Sequence, residues 1–205
     1  MVKTSTLVLA AILMRAISAF ADPQATMQVL PNNVDEKAIK QLKVESKRGS
    51  LKASYQLGII YLNGIGVPKN PEEALDWFED AGGAWWGRDK HKLGLSEAQY
   101  MAGTMYRDGI GTEKDLDDAE DWFSQAAEQG YPQAQLALSE MYLKETELGI
   151  DYKMAYFWSA IAAGSLSEEE KPKAEAINQE AAKMLSPEDL EAVRKRVAEW
   201  SPQSF

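Results

Sequence analysis

The chain has 205 residues, of which 45% are hydrophobic and 26% are charged, and it contains no cysteine. This composition is typical of one folded domain or one short repeat array, and it excludes disulfides, thiolate nucleophiles and zinc–thiolate sites. The formal net charge of −10 argues against a nucleic-acid or anionic-membrane partner, because phosphate contacts require Lys and Arg. A basic or neutral partner fits this charge better.

The first 21 residues have the order of a secretory signal peptide. Lys3 precedes the apolar run 7–14, and Ala19–Ala21 forms an A-x-A cleavage site. The run is far shorter than the roughly 20 residues that span a bilayer, so no membrane anchor is expected after cleavage. Cleavage after Ala21 predicts a periplasmic or secreted protein with 20 basic and 32 acidic side chains, a formal charge of −12. The alternative is a buried amphipathic helix, since Arg15 interrupts the apolar stretch.

Two segments, a linker and a helix, are predicted between the signal peptide and the repeats. Residues 22–34 carry Pro, Asn and Gln without helical spacing and are interpreted as a linker. Residues 35–50 are predicted to form an N-terminal cap helix. A faint half-copy of the repeat described next begins there at Ala38, which lies 36 residues before Ala74.

One pattern occurs three times along the chain. The copies begin at Ala53, Ala98 and Ala134, separated by 45 and 36 residues, so the first junction carries nine extra residues. In each copy a tyrosine follows after eight residues, an alanine thirteen residues later, and a tryptophan three residues after that. These positions are Tyr61, Tyr106 and Tyr142; Ala74, Ala119 and Ala155; and Trp77, Trp122 and Trp158. Internal repetition of this length indicates an array of identical supersecondary units.

Each copy is predicted to be a helical hairpin. Ala53, Leu57 and Tyr61 stand at i, i+4 and i+8, and the residues from Ala74 repeat at i, i+3, i+4 and i+7, as in two amphipathic helices. Glycines at 64 and 109 are placed where the first helix would end in a left-handed cap. A single hairpin leaves one face uncovered, so stability is expected from stacking neighbours.

The segment Leu57–Ala81 resembles the Sel-one-like repeat (SLR) family. It follows the pattern L-G-x-x-Y-x-x-G-x-G-V-x-x-[DN]-x-x-x-A-x-x-W-F-x-x-A, and the likeness is strong from Ala53 to Gly164. The stretch Ser186–Trp200 resembles the closing helix of bacterial members. In the third copy, residues 144–147 replace the loop glycines, so its turn is expected to be remodelled.

The resemblance implies an all-α fold, a right-handed α/α superhelix or solenoid. It would consist of the N-terminal cap helix, three hairpins in 51–164 with an insertion at about 83–95, and a pair of C-terminal capping helices in 165–205. Within that last segment, Ser167 and Ser186 have the sequence of helix N-caps. Trp200 is expected to seal the last groove of the array.

The resemblance also implies a protein that binds other proteins, often in the bacterial envelope, and that has no catalytic residues. No cofactor or metal is expected, and His91 is the only histidine. We therefore expect an exported interaction module that acts as an envelope regulator or assembly adaptor. One alternative is a periplasmic immunity protein that inhibits a secreted toxin, such as a phospholipase effector. A more remote alternative is a cell-wall hydrolase.

The partner would be another protein, such as a toxin or a regulatory membrane protein, held in the concave groove. If Ala53, Leu57 and Tyr61 face the hairpin interior, the positions offset from them on the first helices face that groove. These positions are Tyr55, Ile59 and Leu62; Tyr100, Thr104 and Arg107; and Leu136, Glu140 and Leu143. Aromatic residues and Arg concentrate binding energy in protein interfaces. The alternative is that these side chains meet neighbouring helices of the array.

The inserted residues at the first junction form a second candidate site. Residues 84–92 are aromatic and cationic in an otherwise acidic chain, and the repeat does not require them. We expect an edge loop there whose Trp85, Trp86 and Arg88 contact the partner. In the alternative, the two indole rings fill the seam between the first two hairpins.

Overall fold

A computed structural model of the chain describes residues 34–83, 94–144 and 149–203. Over these ranges the chain forms nine α-helices and no strand. They are α1 (Glu36–Lys47), α2 (Leu51–Asn63), α3 (Pro71–Gly82), α4 (Ser96–Asp108), α5 (Leu116–Glu128), α6 (Pro132–Leu143), α7 (Tyr152–Ala162), α8 (Lys171–Met184) and α9 (Pro187–Glu199). None of these helices is long and apolar enough to cross a membrane. The predicted signal peptide and most of the predicted insertion lie outside the described residues.

Consecutive helices pair as antiparallel hairpins that stack in chain order. The most extensive contacts join α2 to α3, α4 to α5 and α6 to α7, and the hairpins meet through α3 with α4 and α5 with α6. Helix α1 packs on α2 and covers the first hairpin. The predicted all-α solenoid of three hairpins is therefore confirmed.

Each of the first two hairpins is closed by a phenylalanine ring placed on a glycine. A Cβ atom at Gly58 would lie 2.6 Å from the Phe78 ring, and one at Gly103 would lie 2.8 Å from the Phe123 ring. Both rings are fully buried. The neighbouring Trp77 and Trp122 are only half-buried. Because the first helix has a glycine at this position, the phenylalanine that follows the repeated tryptophan on the second helix can enter the core.

The turns within the hairpins follow the glycine pattern twice and depart from it once. Gly64 and Gly109 have φ angles of 71° and 67°, as expected of left-handed caps, whereas α6 ends on Lys144 in extended backbone. A common hydrogen bond nevertheless closes all three turns. The backbone N–H of the next helix's N-cap donates to the repeated tyrosine's carbonyl oxygen, from Asn70 to Tyr61 (2.9 Å), Asp115 to Tyr106 (3.0 Å) and Asp151 to Tyr142 (2.9 Å).

The C-terminal helices cover the far end of the array. Helices α8 and α9 both pack on α7, each more extensively than they pack on one another, and α8 also reaches α6. The ring centroid of Trp200 lies 6.4 Å from that of Trp158, in an edge-to-face arrangement. Beyond it, the backbone N–H of Gln203 donates to the carbonyl oxygen of Glu128 at 2.8 Å. Gln203 therefore lies at the end of the second hairpin.

Candidate partner-binding groove

An open groove of about 550 Å³ lies between the first helices of the second and third hairpins and the start of α8. Its apolar floor includes Leu136 and Met141 from α6, and the Tyr100 ring of α4 forms part of its wall. Charged side chains surround the floor: Arg107, Asp108, Lys114, Glu140, Lys144, Glu170 and Lys173. We refer to this cavity as the groove.

The structure divides the nine predicted groove residues into three sets: four that line the groove, one that is half-buried, and four that are buried away from it. Tyr100, Arg107, Leu136 and Glu140 line the groove. Leu143 is half-buried and packs against the core formed by the last two hairpins and the cap. For the four residues that line the groove, partner contact remains a prediction.

The remaining members of the predicted set are buried in the core and, unlike the buried Leu136, do not line the groove, so the prediction that they face it is wrong. Ile59 and Thr104 are 2% and 1% exposed, and the Thr104 hydroxyl donates to the Tyr100 carbonyl oxygen at 2.9 Å. Tyr55 and Leu62 are buried as well, with the Tyr55 ring 5.7 Å from that of Phe78. The reason is that α2 packs between α1 and α3, and α4 between α3 and α5, which leaves each first helix only a narrow exposed strip.

The predicted edge-loop contacts fall on residues that the structure does not describe. Trp85, Trp86 and Arg88 lie between the described ranges 34–83 and 94–144. Their part in partner binding remains a prediction.

A tyrosine absent from the sequence prediction extends the aromatic wall. The Tyr131 ring lies 5.4 Å from the Tyr100 ring, which in turn lies 5.7 Å from Phe123. Burial raises the pKa of Tyr100, and it raises the pKa of Tyr55 to about 12. Near neutral pH both phenols are neutral, as a tyrosine with the ordinary pKa of 10.0 also is. The signal for Tyr131 was its place immediately before Pro132, at the start of a first helix.

Two ion pairs organise the charged rim of the groove. The Arg107 guanidinium donates to both carboxylate oxygens of Asp108, at 2.7 and 2.8 Å, and lies 5.7 Å from the Phe123 ring. The hydrogen bond to Asp108 is the largest factor that raises the pKa of Arg107. On the opposite side, Lys173 pairs with Glu140. Arg107 and Glu140 are thus oriented by partners on the rim itself.

Buried glutamines hold the hairpins that form the groove, and the sequence prediction did not identify them. The side-chain amide of Gln99 donates to the carbonyl oxygen of Gly82 at 2.9 Å, and that of Gln135 donates to Ala127 at 3.0 Å. Both glutamines are the second residue of their repeat, and both acceptors lie at the end of the preceding hairpin. The recurrence of a polar residue beside the first alanine was the available signal.

Within the described residues, no group of three or more His, Cys, Asp and Glu side chains is placed to hold a metal ion. The lining of the groove combines an apolar floor, the phenol of Tyr100 and charged side chains. Interfaces between proteins have this composition.

Comparison with known proteins finds repeats at the positions described above. The Sel1 repeat family model matches residues 51–82, 96–131 and 132–164. The crystal structure of a Sel1 repeat protein from Oxalobacter formigenes is 31% identical, with a TM-score of 0.56, over 67% of this chain and 97% of that chain. A protective antigen of uropathogenic Escherichia coli strains, which displays an SLR fold, is 23% identical over 96% of this chain and 48% of its own, with a TM-score of 0.31. No curated protein matches the sequence.

Proposed function

Because the chain belongs to the Sel1 repeat family, whose members are generally non-catalytic protein-interaction modules, we propose that it holds another protein of the bacterial envelope in its groove. In this role it is an exported regulator or assembly adaptor. It offers a shaped surface to its partner and carries out no reaction.

The observation that carries this proposal is the groove itself. Its apolar floor at Leu136 and Met141 lies beside the Tyr100 ring and is surrounded by charged side chains. Binding energy in protein interfaces concentrates on apolar and aromatic anchors surrounded by a polar rim. The groove therefore has the parts that a protein segment requires.

The groove is also preorganised for binding. Two of the helices that form it, α4 and α6, are each fixed to the preceding hairpin by a buried glutamine. A surface that is already ordered loses less conformational entropy when a partner binds. Affinity can therefore come from a few contacts.

Site-specific photo-crosslinking tests the proposed site. A benzophenone amino acid replaces Gln133, which lines the groove, or Asp117, an exposed residue on the outer helix α5 that serves as the matched control. After irradiation in cells, we expect a discrete crosslinked protein from position 133 and none from position 117. A crosslink from 117 alone would place the partner on the outer wall and contradict the proposal.

Export is the second part of the proposal. We expect mass spectrometry of the protein purified from cells to show an N-terminus at Asp22, because the A-x-A site ends at Ala21. Replacement of Ala19 and Ala21 by bulky residues should block this processing, whereas the same change at Gln24 and Thr26 should not. Recovery of unprocessed protein in the cytoplasm would contradict export.

The net charge of −10 favours a second candidate function, that of a periplasmic immunity protein. Charge complementarity speeds the capture of a basic toxin. An immunity protein would restore the growth of cells that produce a secreted toxin, such as a phospholipase effector, and would inhibit the purified toxin directly. A regulator or adaptor would do neither.

A further inference from the structure

The balance of charged side chains in the groove is opposite to that of the whole chain. The whole chain has 22 basic and 32 acidic side chains, whereas the lining of the groove has four basic and three acidic ones. The four cations come from separate segments: Arg107 from α4, Lys114 from the turn after it, Lys144 from the end of α6, and Lys173 from α8. The tertiary structure thus collects positive charge at one place in an acidic protein.

The three acidic groups of the lining are already engaged. Asp108 accepts from Arg107, and Glu140 pairs with Lys173. The Glu170 carboxylate accepts from the Ser167 hydroxyl at 2.9 Å. In the part of the chain that the structure describes, the side-chain ammonium groups of Lys114 and Lys144 have no ion pair or hydrogen bond. Both lysines border the groove, one at the turn of the second hairpin and one at the turn of the third.

We propose that the groove binds an extended acidic segment of the partner protein. An Asp or Glu side chain lies between Lys114 and Lys144, and a neighbouring apolar side chain rests on Leu136. The inference depends on the proposed function, since it specifies which partner segment the groove accepts. It also departs from the expectation of a basic partner, which considered only the net charge.

Local charge prevails over net charge here because of screening. At physiological ionic strength the Debye length is about 8 Å, so distant carboxylates on the surface contribute little inside the groove. Lys114 and Lys144 line the groove itself, so their charges are screened less there than those of distant carboxylates. Net charge then governs the encounter with a partner, and the groove governs which segment it retains.

Selection from a phage-displayed library of random 12-residue peptides tests this inference. The baits are the chain from Asp22 onward and the same chain with Lys114→Glu and Lys144→Glu. The control carries Lys37→Glu and Lys52→Glu, which make the same change in net charge on exposed first turns of α1 and α2. We expect the unmodified and control chains to select peptides rich in Asp and Glu, and the groove variant to lose that preference.

A synthetic fluorescent copy of a selected peptide provides the affinity. Exposed ion pairs contribute up to about 1 kcal/mol each, so the groove variant should bind roughly tenfold more weakly or worse, and the control within about twofold. Raising the salt concentration should weaken the binding of the unmodified chain. Circular dichroism confirms that all the variants are folded.

The remaining outcomes overturn the inference in distinguishable ways. Acidic peptides that bind the Lys114→Glu/Lys144→Glu variant equally well would place their site elsewhere. A second outcome is the selection of peptides without acidic residues whose binding is lost in the Gln133→Trp variant, in which the new side chain fills the groove. This outcome would support the proposed function but refute the inference that the bound segment is acidic. If neither the unmodified chain nor the control variant enriches any peptide, both the inference and the proposal that the groove binds a protein segment are refuted.

Discussion

At the scale of single residues, the buried glutamines explain how one hairpin recognises the next. The last carbonyl groups of a helix have no partner within the helix. Gln99 and Gln135, each 2% exposed, donate to such carbonyls at the ends of α3 and α5. In the first repeat the same position is Ser54, whose hydroxyl donates to the Asp80 carboxylate of its own hairpin at 2.6 Å and lies 2.9 Å from the Ser46 hydroxyl of α1. One repeat position therefore makes a polar contact with the preceding element in all three repeats.

Replacing Gln135 by Met should destabilise the protein by about 1 kcal/mol. Met preserves the volume of the side chain but removes its hydrogen bond to the Ala127 carbonyl, which keeps the backbone N–H of Gly130 as a donor at 2.9 Å. Urea unfolding followed by circular dichroism measures the change. The control is Gln133→Met on the same helix, at a half-exposed site, and it should stay within about 0.5 kcal/mol. Equal loss in both variants would show that the hydrogen bond is not the cause.

A tyrosine–glutamate pair between hairpins should make stability depend on pH. The Tyr106 hydroxyl donates to Glu79 at 2.6 Å, yet burial is the largest effect on this carboxyl and raises its pKa above the ordinary 4.5. The folded protein then binds this proton more tightly than the unfolded chain does. Glu79 therefore lowers stability progressively as the pH rises from about 4.5 through its folded pKa.

Glu79→Gln removes this titration and keeps an acceptor for Tyr106. We expect the urea midpoint of the variant, relative to the unmodified chain, to rise between pH 4.5 and pH 7. Glu113→Gln, at an exposed turn position, should show no such rise. A pH-independent difference for Glu79→Gln would refute the proposed cause.

At the scale of elements, hairpin closure depends on the backbone more than on the glycines. The third turn lacks the glycine cap of the others but retains the hydrogen bond from its N-cap residue Asp151 to Tyr142. The C-terminal segment after α9 is likewise held by few contacts. It is held by one aromatic contact, between Trp200 and Trp158, and by the hydrogen bonds of Gln203 to Glu128.

Trp200→Ala should weaken the packing of the C-terminal segment on the third hairpin and lower the stability of the protein. The partly buried indole packs edge-to-face on Trp158, so its loss should cost about 1–2 kcal/mol. Stability to urea and the rate of cleavage by a C-terminal exopeptidase measure this effect. In the control Gln203→Ala only a side-chain contact with Glu128 is lost, and the expected change is below about 0.5 kcal/mol. Unchanged stability for Trp200→Ala would mean that this contact does not hold the end of the array.

At the scale of the whole molecule, each hairpin is stabilised mainly by its packing against the adjacent hairpins or caps. Each hairpin contacts mainly those beside it, and α1 and the pair α8–α9 cover the two ends. An array without its caps exposes an apolar face to water. The formal net charge of −10 adds electrostatic repulsion between molecules, which opposes their association.

Truncation after Gly164 should therefore produce an aggregation-prone protein. It removes Ala174, Ile177 and Ala181, which are buried with the third hairpin, and so exposes the surface of α7. We expect increased binding of a hydrophobic dye and association in size-exclusion chromatography. The control ends at Glu199 and retains both capping helices. A monomeric, dye-free protein after truncation at Gly164 would show that the third hairpin does not require a cap.

The sequence by itself determined the repeat, its two helices and the two glycine caps, because helical spacing and turn geometry are local properties. It also placed Tyr100 and Leu136 on the side of their helices that lines the groove. Only the tertiary structure decided that Ile59 and Thr104 are buried, since burial depends on which neighbouring helix covers each face. It alone brings Lys114, Lys144 and Lys173 to one groove, because they come from segments far apart in the chain, and their proximity results from stacking.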